Sequence, residues 1–299
     1  MLTRFISAVI GVGLFLAACF AGSLPFAIAV FIVATVCASE FTRAQKRAAS
    51  PGSDSAEVSH FPLPSAFRQL NPFLTYAGLI AVPFAYVLVH RGGSRWATLY
   101  IFLVIVGVAF GVGLVRRAWN RGGMLGSLRS AYGCIGLWYV GPTLSSFILL
   151  RGVSVQVRVG SFGLADRGAW MLLFVAVCVW STDSFAYFAG RALGKHKMCP
   201  ALSPAKTWEG FAGGFVGAVV FGALFGHWVG VTWIHAGVVG AIAGLLGPIG
   251  DLFESGLKRE LAIKDFGNVM PGHGGALDRF DSLMFVAPVA FLYLTLVVH

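Results

Sequence analysis

Windows of about 20 mostly apolar residues, the length that crosses a bilayer as a helix, recur along the whole of this 299-residue chain. They fall at about residues 5–20, 24–40, 73–90, 96–115, 131–150, 168–189, 211–228, 232–249 and 283–298. Backbone groups in lipid must pair within their own segment, so the runs predict helices. They are continuous rather than alternating, which excludes a barrel. Charged residues make up 11% of the chain and hydrophobic ones 57%, with a mean hydropathy of +0.81, far from the roughly 25% charged of soluble domains. The expectation is an all-α integral membrane protein of about nine transmembrane helices. A soluble enzyme with one anchor is excluded.

Short loops rich in Lys and Arg stay in the cytoplasm. Assigning loops alternately from the N-terminus puts 17 of the 22 basic residues on one side and only Arg91, Arg95, Arg151, Arg158 and Arg167 on the other. The N-terminus is therefore expected in the cytoplasm and His299 outside. The net charge of +10 then reads as topology signal plus attraction to anionic head groups. No basic and aromatic interleaving suggests nucleic acid as a partner. The five cysteines are scattered, odd in number and mostly in apolar spans, so neither a disulfide framework nor a zinc site is indicated.

Residues 1–150 are expected to form an N-terminal set of spans, with a polar loop at 42–71, and residues 168–299 a C-terminal catalytic region. The basic loop at 116–130 is expected at the membrane surface. Gly213 and Gly217, Gly222 and Gly226, and Gly240 and Gly244 are spaced for close helix packing, within one subunit in preference to a dimer seam.

Of the 12 Asp and Glu, six lie between Asp251 and Asp281, so the chemistry is sought in the second half. Asp183 sits inside the sixth apolar run, beside Thr182, Ser184 and Tyr187. A carboxylate at that depth should face a polar cavity or pair with a neighbouring helix. In "LSPAKTWEG", Ser203 and Pro204 fit an N-cap followed by proline at the first helical position. Lys206 and Thr207 would then reinforce an anion site in the first turn; an ordinary capped helix is the alternative. "GRALGKHK" is not a phosphate loop, having three residues between its glycines and His196 after Lys195.

Gly247, Pro248 and Gly250 are expected to break or kink the eighth helix just before Asp251. Beyond it, Asp251, Glu254 and Lys258 share a face. "PGHGGALDRFD" is a Gly-rich turn running into the last span, with Asp278 and Asp281 three apart. Glycine lets a backbone approach a ligand, and carboxylates from separate helices, such as Asp251 and Asp278, can chelate a Mg²⁺ that a phosphate also binds. His273 is an acid, a base or a hydrogen-bonding partner; Arg279 belongs to an ion pair or grips phosphate bidentately. Together these residues point to a cation-dependent site for phosphorylated ligands, open to the cytoplasm.

"SGLKRELAIKDFGNVMPGHGGALDRFD", Ser255 to Asp281, closely resembles the C-terminal signature of the phosphatidate cytidylyltransferases, or CDP-diacylglycerol synthases. "WSTDSFAYFAGRALGK" and "SPAKTWEG" extend the resemblance over roughly residues 180–282, whereas the first half matches only as a run of spans. Ala205 stands where the family often has Lys, leaving Lys206 in sole charge there, and Ala276 where a larger aliphatic is usual.

The resemblance implies transfer of CMP from CTP to phosphatidic acid, with CDP-diacylglycerol and pyrophosphate as products. It makes Asp251 and Asp278 metal ligands and puts Ser203, Lys206 and Thr207 near substrate phosphates. Lys258, Arg259, Lys264, His273 and Arg279 are secondary candidates on the catalytic side, and Asp183, Asp265, Gly274, Gly275 and Asp281 on the cofactor side. It further implies Mg²⁺, a monovalent cation such as K⁺, a homodimer, and residence among the lipids of the bacterial cytoplasmic membrane. Asp278→Asn should abolish turnover and leave folding intact. The competing classes are a secondary transporter using Asp183, Asp251 and Asp278 as a pathway, and a lipid kinase or other CTP-using membrane enzyme.

Overall fold

The computed structural model describes residues 2–49, 72–92, 95–107, 138–153, 166–200, 202–261, 263–270 and 274–298. Most of them are helical. In chain order the helices are α1 (Leu2–Phe20), α2 (Ser23–Ala49), α3 (Pro72–Ala77), α4 (Ala81–Val87), α5 (Arg95–Gly107), α6 (Gly141–Arg151), α7 (Arg167–Leu193), α8 (Trp208–Trp228), α9 (Trp233–Glu260) and α10 (Leu277–Leu296). Where they are described, the apolar windows are mostly helical, with turn or coil at positions such as Val140, Thr232 and Val297. Among the described residues five helices are long and apolar enough to cross a membrane: Ser23–Arg47, Arg167–Leu193, Trp208–Trp228, Trp233–Arg259 and Leu277–Leu296. Large apolar side chains such as Ile28, Ile32, Val216 and Ile234 remain exposed on them, as lipid-facing positions require.

The structure is consistent with an all-α membrane protein, and one local expectation needs correction. Between α7 and α8 the chain makes an antiparallel hairpin, β1 (Lys197–Cys199) and β2 (Ser203–Thr207), pairing Lys197 with Thr207 and Cys199 with Ser203. Ser203 is thus a strand residue and not a helix cap. Helix α8 starts at Trp208, and its cap is Thr207, whose Oγ1 accepts the Gly210 N–H at 3.1 Å. Ser-Pro is a strong local helix signal, but strand pairing with a segment several residues upstream overrides it.

The second correction concerns α9, which runs unbroken through Gly247, Pro248 and Gly250 to Glu260. Pro248 removes one backbone donor, yet packing holds the helix on both sides of it. Gly247 lies against Ser282 and Thr182, and a Cβ at Gly250 would stand 2.7 Å from the Asp281 carbonyl oxygen.

The chain clusters into two interleaved units. One comprises Met1–Leu14, Ala27–Ile148 and Gly256–Arg279; the other comprises Phe15–Phe26, Leu149–Ser255 and Phe280–His299. In the first, the fully buried Phe41 of α2 packs edge-on against Tyr139 and, at 5.8 Å between centroids, against Phe266. Tyr100 of α5 meets Ser145 of α6 at 2.7 Å.

In the second unit α7 and α8 pack through small residues. A Cβ at Gly214 would lie 2.7 Å from the Thr182 carbonyl oxygen, and Gly217 faces the Phe185 ring. Gly222 meets the Cα of Gly240 and Gly244 the Cα of Phe215, joining α8 to α9. The small-residue spacings therefore serve packing within the chain. At the far end of α7, Arg151 pairs with Asp166, which also caps the helix through the Ala169 N–H at 3.1 Å. Cys19, Cys37 and Cys178 are buried free thiols, Cys199 is half-buried, and Cys134 lies outside the described residues.

Candidate active site

In the second unit, α7, the hairpin and α9 enclose a cleft of about 480 Å³. It gathers Asp183, Ser203, Lys206, Thr207 and Asp251, all singled out in the sequence, together with Tyr187 and Arg191. Thr207 owes its place to its double duty: as the last strand residue and the helix cap it is fixed by both elements, and Gly190 and Gly194 of α7's end leave room for it. Asp183 is exposed to the cleft, whose lining also carries the charged side chains of Arg191, Lys206 and Asp251.

Lys206 and Asp251 form the charged centre of this cleft. The Lys206 ammonium lies 2.8 Å from Asp251 Oδ2 and also donates to the Pro248 carbonyl at 3.3 Å. The other Asp251 oxygen accepts the Ser255 hydroxyl at 3.3 Å. Its side chain is 39% exposed, so it retains access to solvent and to ligands. Arg191 donates to the Tyr187 hydroxyl at 2.9 Å, one turn earlier on α7; an arginine held by a neutral phenol keeps its charge for an anion.

Asp278 belongs to the first unit, in a different setting. Its side chain is only 2% exposed. Oδ1 takes the Lys258 ammonium at 3.0 Å, and Oδ2 accepts backbone N–H groups from Phe266 at 3.1 Å and Gly275 at 2.7 Å. Gly274 lies beside it with φ +83°, where only glycine is unstrained. A Cβ there would stand 2.9 Å from Asp278 Oδ2 and 3.3 Å from Asp265 Oδ1.

Asp281 is half-buried in the second unit and accepts the Ser282 N–H at 2.7 Å. Arg259, Lys264, Asp265 and Arg279 are exposed, with Arg259 reaching the Ile263 carbonyl at 3.5 Å. His273 lies outside the described residues.

Two features were not singled out from the sequence. Arg191 counted only as a loop charge, although it ends the segment that carries Asp183. Glu40 is 3% exposed in α2, and its two carboxylate oxygens accept the N–H groups of Ala276 at 3.1 Å and Leu277 at 3.0 Å. Its one visible signal is an acid within an apolar run.

The donors in and around these settings are oxygen atoms, the type that hard cations such as Mg²⁺ prefer. Among the described residues no group of three His, Cys, Asp or Glu side chains forms a metal cage. Mg²⁺ is commonly held by one or two carboxylates with substrate phosphates supplying the rest, and the carboxylate chemistry fits that mode.

The profile of the Cytidylyltransferase family matches residues 2–297. A Bacillus subtilis (strain 168) protein named phosphatidate cytidylyltransferase is 31% identical over 298 residues, 99% of this chain and 98% of its own. A Staphylococcus saprophyticus protein of the same name is 32% identical over 237 residues, covering 73% of this chain and 91% of its own. One from Staphylococcus aureus (strain COL) reaches 45% over 127 residues, 42% of this chain and 48% of its own. The chain combines helices long and apolar enough to cross a membrane with a cleft that collects charged and hydroxyl side chains. The chain belongs to the cytidylyltransferase family.

Proposed function

We propose that this protein is a phosphatidate cytidylyltransferase, transferring CMP from CTP to phosphatidic acid to give CDP-diacylglycerol and pyrophosphate for phospholipid synthesis. The observation that carries the reading is likeness along essentially the whole chain to a relative of that name. The cleft chemistry supports it. Phosphoryl-type transfer depends on positioning and charge neutralisation more than on covalent help from protein, and Lys206, Arg191, Ser203 and Thr207 offer cationic and hydroxyl contacts to phosphate oxygens.

In the proposed reaction an oxygen of the phosphatidate phosphate attacks the α-phosphorus of CTP. The new P–O bond forms as the bond to the β-phosphate bridging oxygen breaks, and pyrophosphate leaves with that electron pair. Phosphatidate is already ionised at neutral pH, so no general base is assigned and His273 ranks below the acids. Asp251, from its open setting, and Asp278, from the family resemblance, are the proposed Mg²⁺ ligands. Bound Mg²⁺ would offset the charge of the triphosphate, with K⁺ as a proposed second cation. Ala205, in place of a frequent Lys, leaves Lys206 the hairpin's cation within the cleft. We further propose nine spans, a homodimer, residues 168–299 as the catalytic region, and a site open to the cytoplasm from the bacterial inner membrane; the 17 to 5 bias of basic residues supports that orientation.

The test uses detergent-purified protein with phosphatidic acid, Mg²⁺ and CTP labelled at the α-phosphate, following label into the lipid phase. Transfer that is abolished by EDTA and restored by Mg²⁺ is the expected result. Lipid label from γ-labelled CTP instead would make it a kinase, and no lipid label from folded protein would favour the transporter class.

A further inference from the structure

Helix α10 begins without a cap of its own. The residue at its N-cap position is Ala276, preceded by Gly274 and Gly275, and none of the three carries a side-chain oxygen to accept the first helical N–H groups. Glu40 supplies what is missing from 236 residues away: Oε1 accepts the Ala276 N–H at 3.1 Å and Oε2 the Leu277 N–H at 3.0 Å.

The seat is shaped for that carboxylate. A Cβ on Gly275 would stand 2.6 Å from Glu40 Oε2, and a Cβ on Gly267 would also collide with the Glu40 carboxylate. The next residue of α2, Phe41, packs on Phe266 at the other end of the same loop. Asp278 accepts the two neighbouring amides, Phe266 N–H and Gly275 N–H. Four backbone donors of one loop are thus divided between two carboxylates, and removing either one forces the other to compete for them.

We infer that Glu40 is a positioning residue for the reaction: by holding the Ala276 and Leu277 amides it fixes the Gly274–Leu277 turn and leaves the Asp278 carboxylate oriented by Phe266, Gly275 and Lys258. The inference rests on the proposed transfer reaction and gives the N-terminal half of the chain a part in it. A Glu40→Gln side chain keeps the size but has one acceptor oxygen for two donors and turns an NH₂ group toward the other N–H. The turn loosens while the bundle stays assembled. Misplacing a positioned group by about 1 Å costs on the order of 100-fold in rate.

The experiment compares wild type, Glu40→Gln and Glu40→Asp in full-length, detergent-purified form, reading kcat and KM for both substrates and amide hydrogen exchange. The expected result is a kcat lowered by roughly 10- to 100-fold, KM values within about threefold, and faster exchange confined to the segment 264–284, with α7 and α8 unchanged. Wild-type kcat in folded Glu40→Gln, or faster exchange throughout the bundle in step with lost activity, overturns the inference. If Glu40→Gln does not fold, Glu40→Asp carries the comparison; failure of both to fold makes Glu40 structural and also overturns it. An inactive wild type sinks the transfer reaction itself, whereas an active wild type matched by its variants sinks only the role of Glu40.

Discussion

Replacing Asp278 by Asn removes one charge and almost no volume, so its effect reports charge and hydrogen bonding and not packing. The resemblance alone implies that such a variant folds normally; its surroundings imply otherwise. Lys258 and Asp278 are 3.0 Å apart with side chains 13% and 2% exposed, so solvent screens the pair little. Breaking a buried pair by removing one partner costs about 3–5 kcal/mol, because the other charge is stranded. The Asn also has one acceptor oxygen for the Phe266 and Gly275 amides and points a donor at what remains. At about 2–4 °C per kcal/mol, the apparent Tm in detergent should fall by roughly 6–20 °C, alongside loss of CMP transfer. The control is Lys258→Met combined with Asp278→Asn, which removes the ammonium as well as the carboxylate charge beside it. By thermal unfolding the double variant should recover part of the lost Tm, although it remains inactive. A single variant within about 2 °C of wild type, or a double variant no more stable than the single, would refute the buried-pair reasoning.

Gly274→Ala puts a side chain at φ +83° and a Cβ 2.9 Å from Asp278 Oδ2. Backbone strain of about 1–2 kcal/mol should appear as a lowered Tm, and displacement of Asp278 as a fall in kcat of at least about tenfold in the labelled-CTP assay. Thr207→Ala removes the α8 cap bonded to Gly210 and should cost about 1 kcal/mol in unfolding measurements; Thr207→Ser, which keeps the hydroxyl, should recover most of it.

The membrane class and the membership of the cleft were legible because both are written locally. Apolar run length dictates a span; Asp183 stands out as a charge inside such a run, and Lys206 and Asp251 as charges beside the ends of others. The errors arose where a distant partner decides the conformation. Ser203-Pro204 is a sound helix signal until Lys197–Cys199 arrives to pair with it. Pro248 is a sound break signal until Gly247 and Gly250 let neighbouring segments close on both sides of the helix. Glu40 was the least legible, since its partners lie 236 and 237 residues downstream and nothing near it in sequence says what an acid does in an apolar helix.

The pairing of the acids bears directly on the proposed need for a cation. Each proposed metal ligand is met by a lysine: Asp251 by Lys206 at 2.8 Å and Asp278 by Lys258 at 3.0 Å. An uncompensated carboxylate at a membrane border is costly, and these lysines offset it within the chain. A triphosphate in the cleft, as proposed, would draw on the Lys206 ammonium as well as on Arg191, the two cationic side chains among the lining residues. Whatever Lys206 gives to phosphate, Asp251 loses, and the carboxylate left behind then needs another positive charge. A divalent cation held at Asp251 would supply that charge and offset the phosphate charge as well. Substrate binding and metal binding should therefore be mutually reinforcing, with the affinity for CTP rising when Mg²⁺ is present by the same factor as the affinity for Mg²⁺ rises when CTP is present.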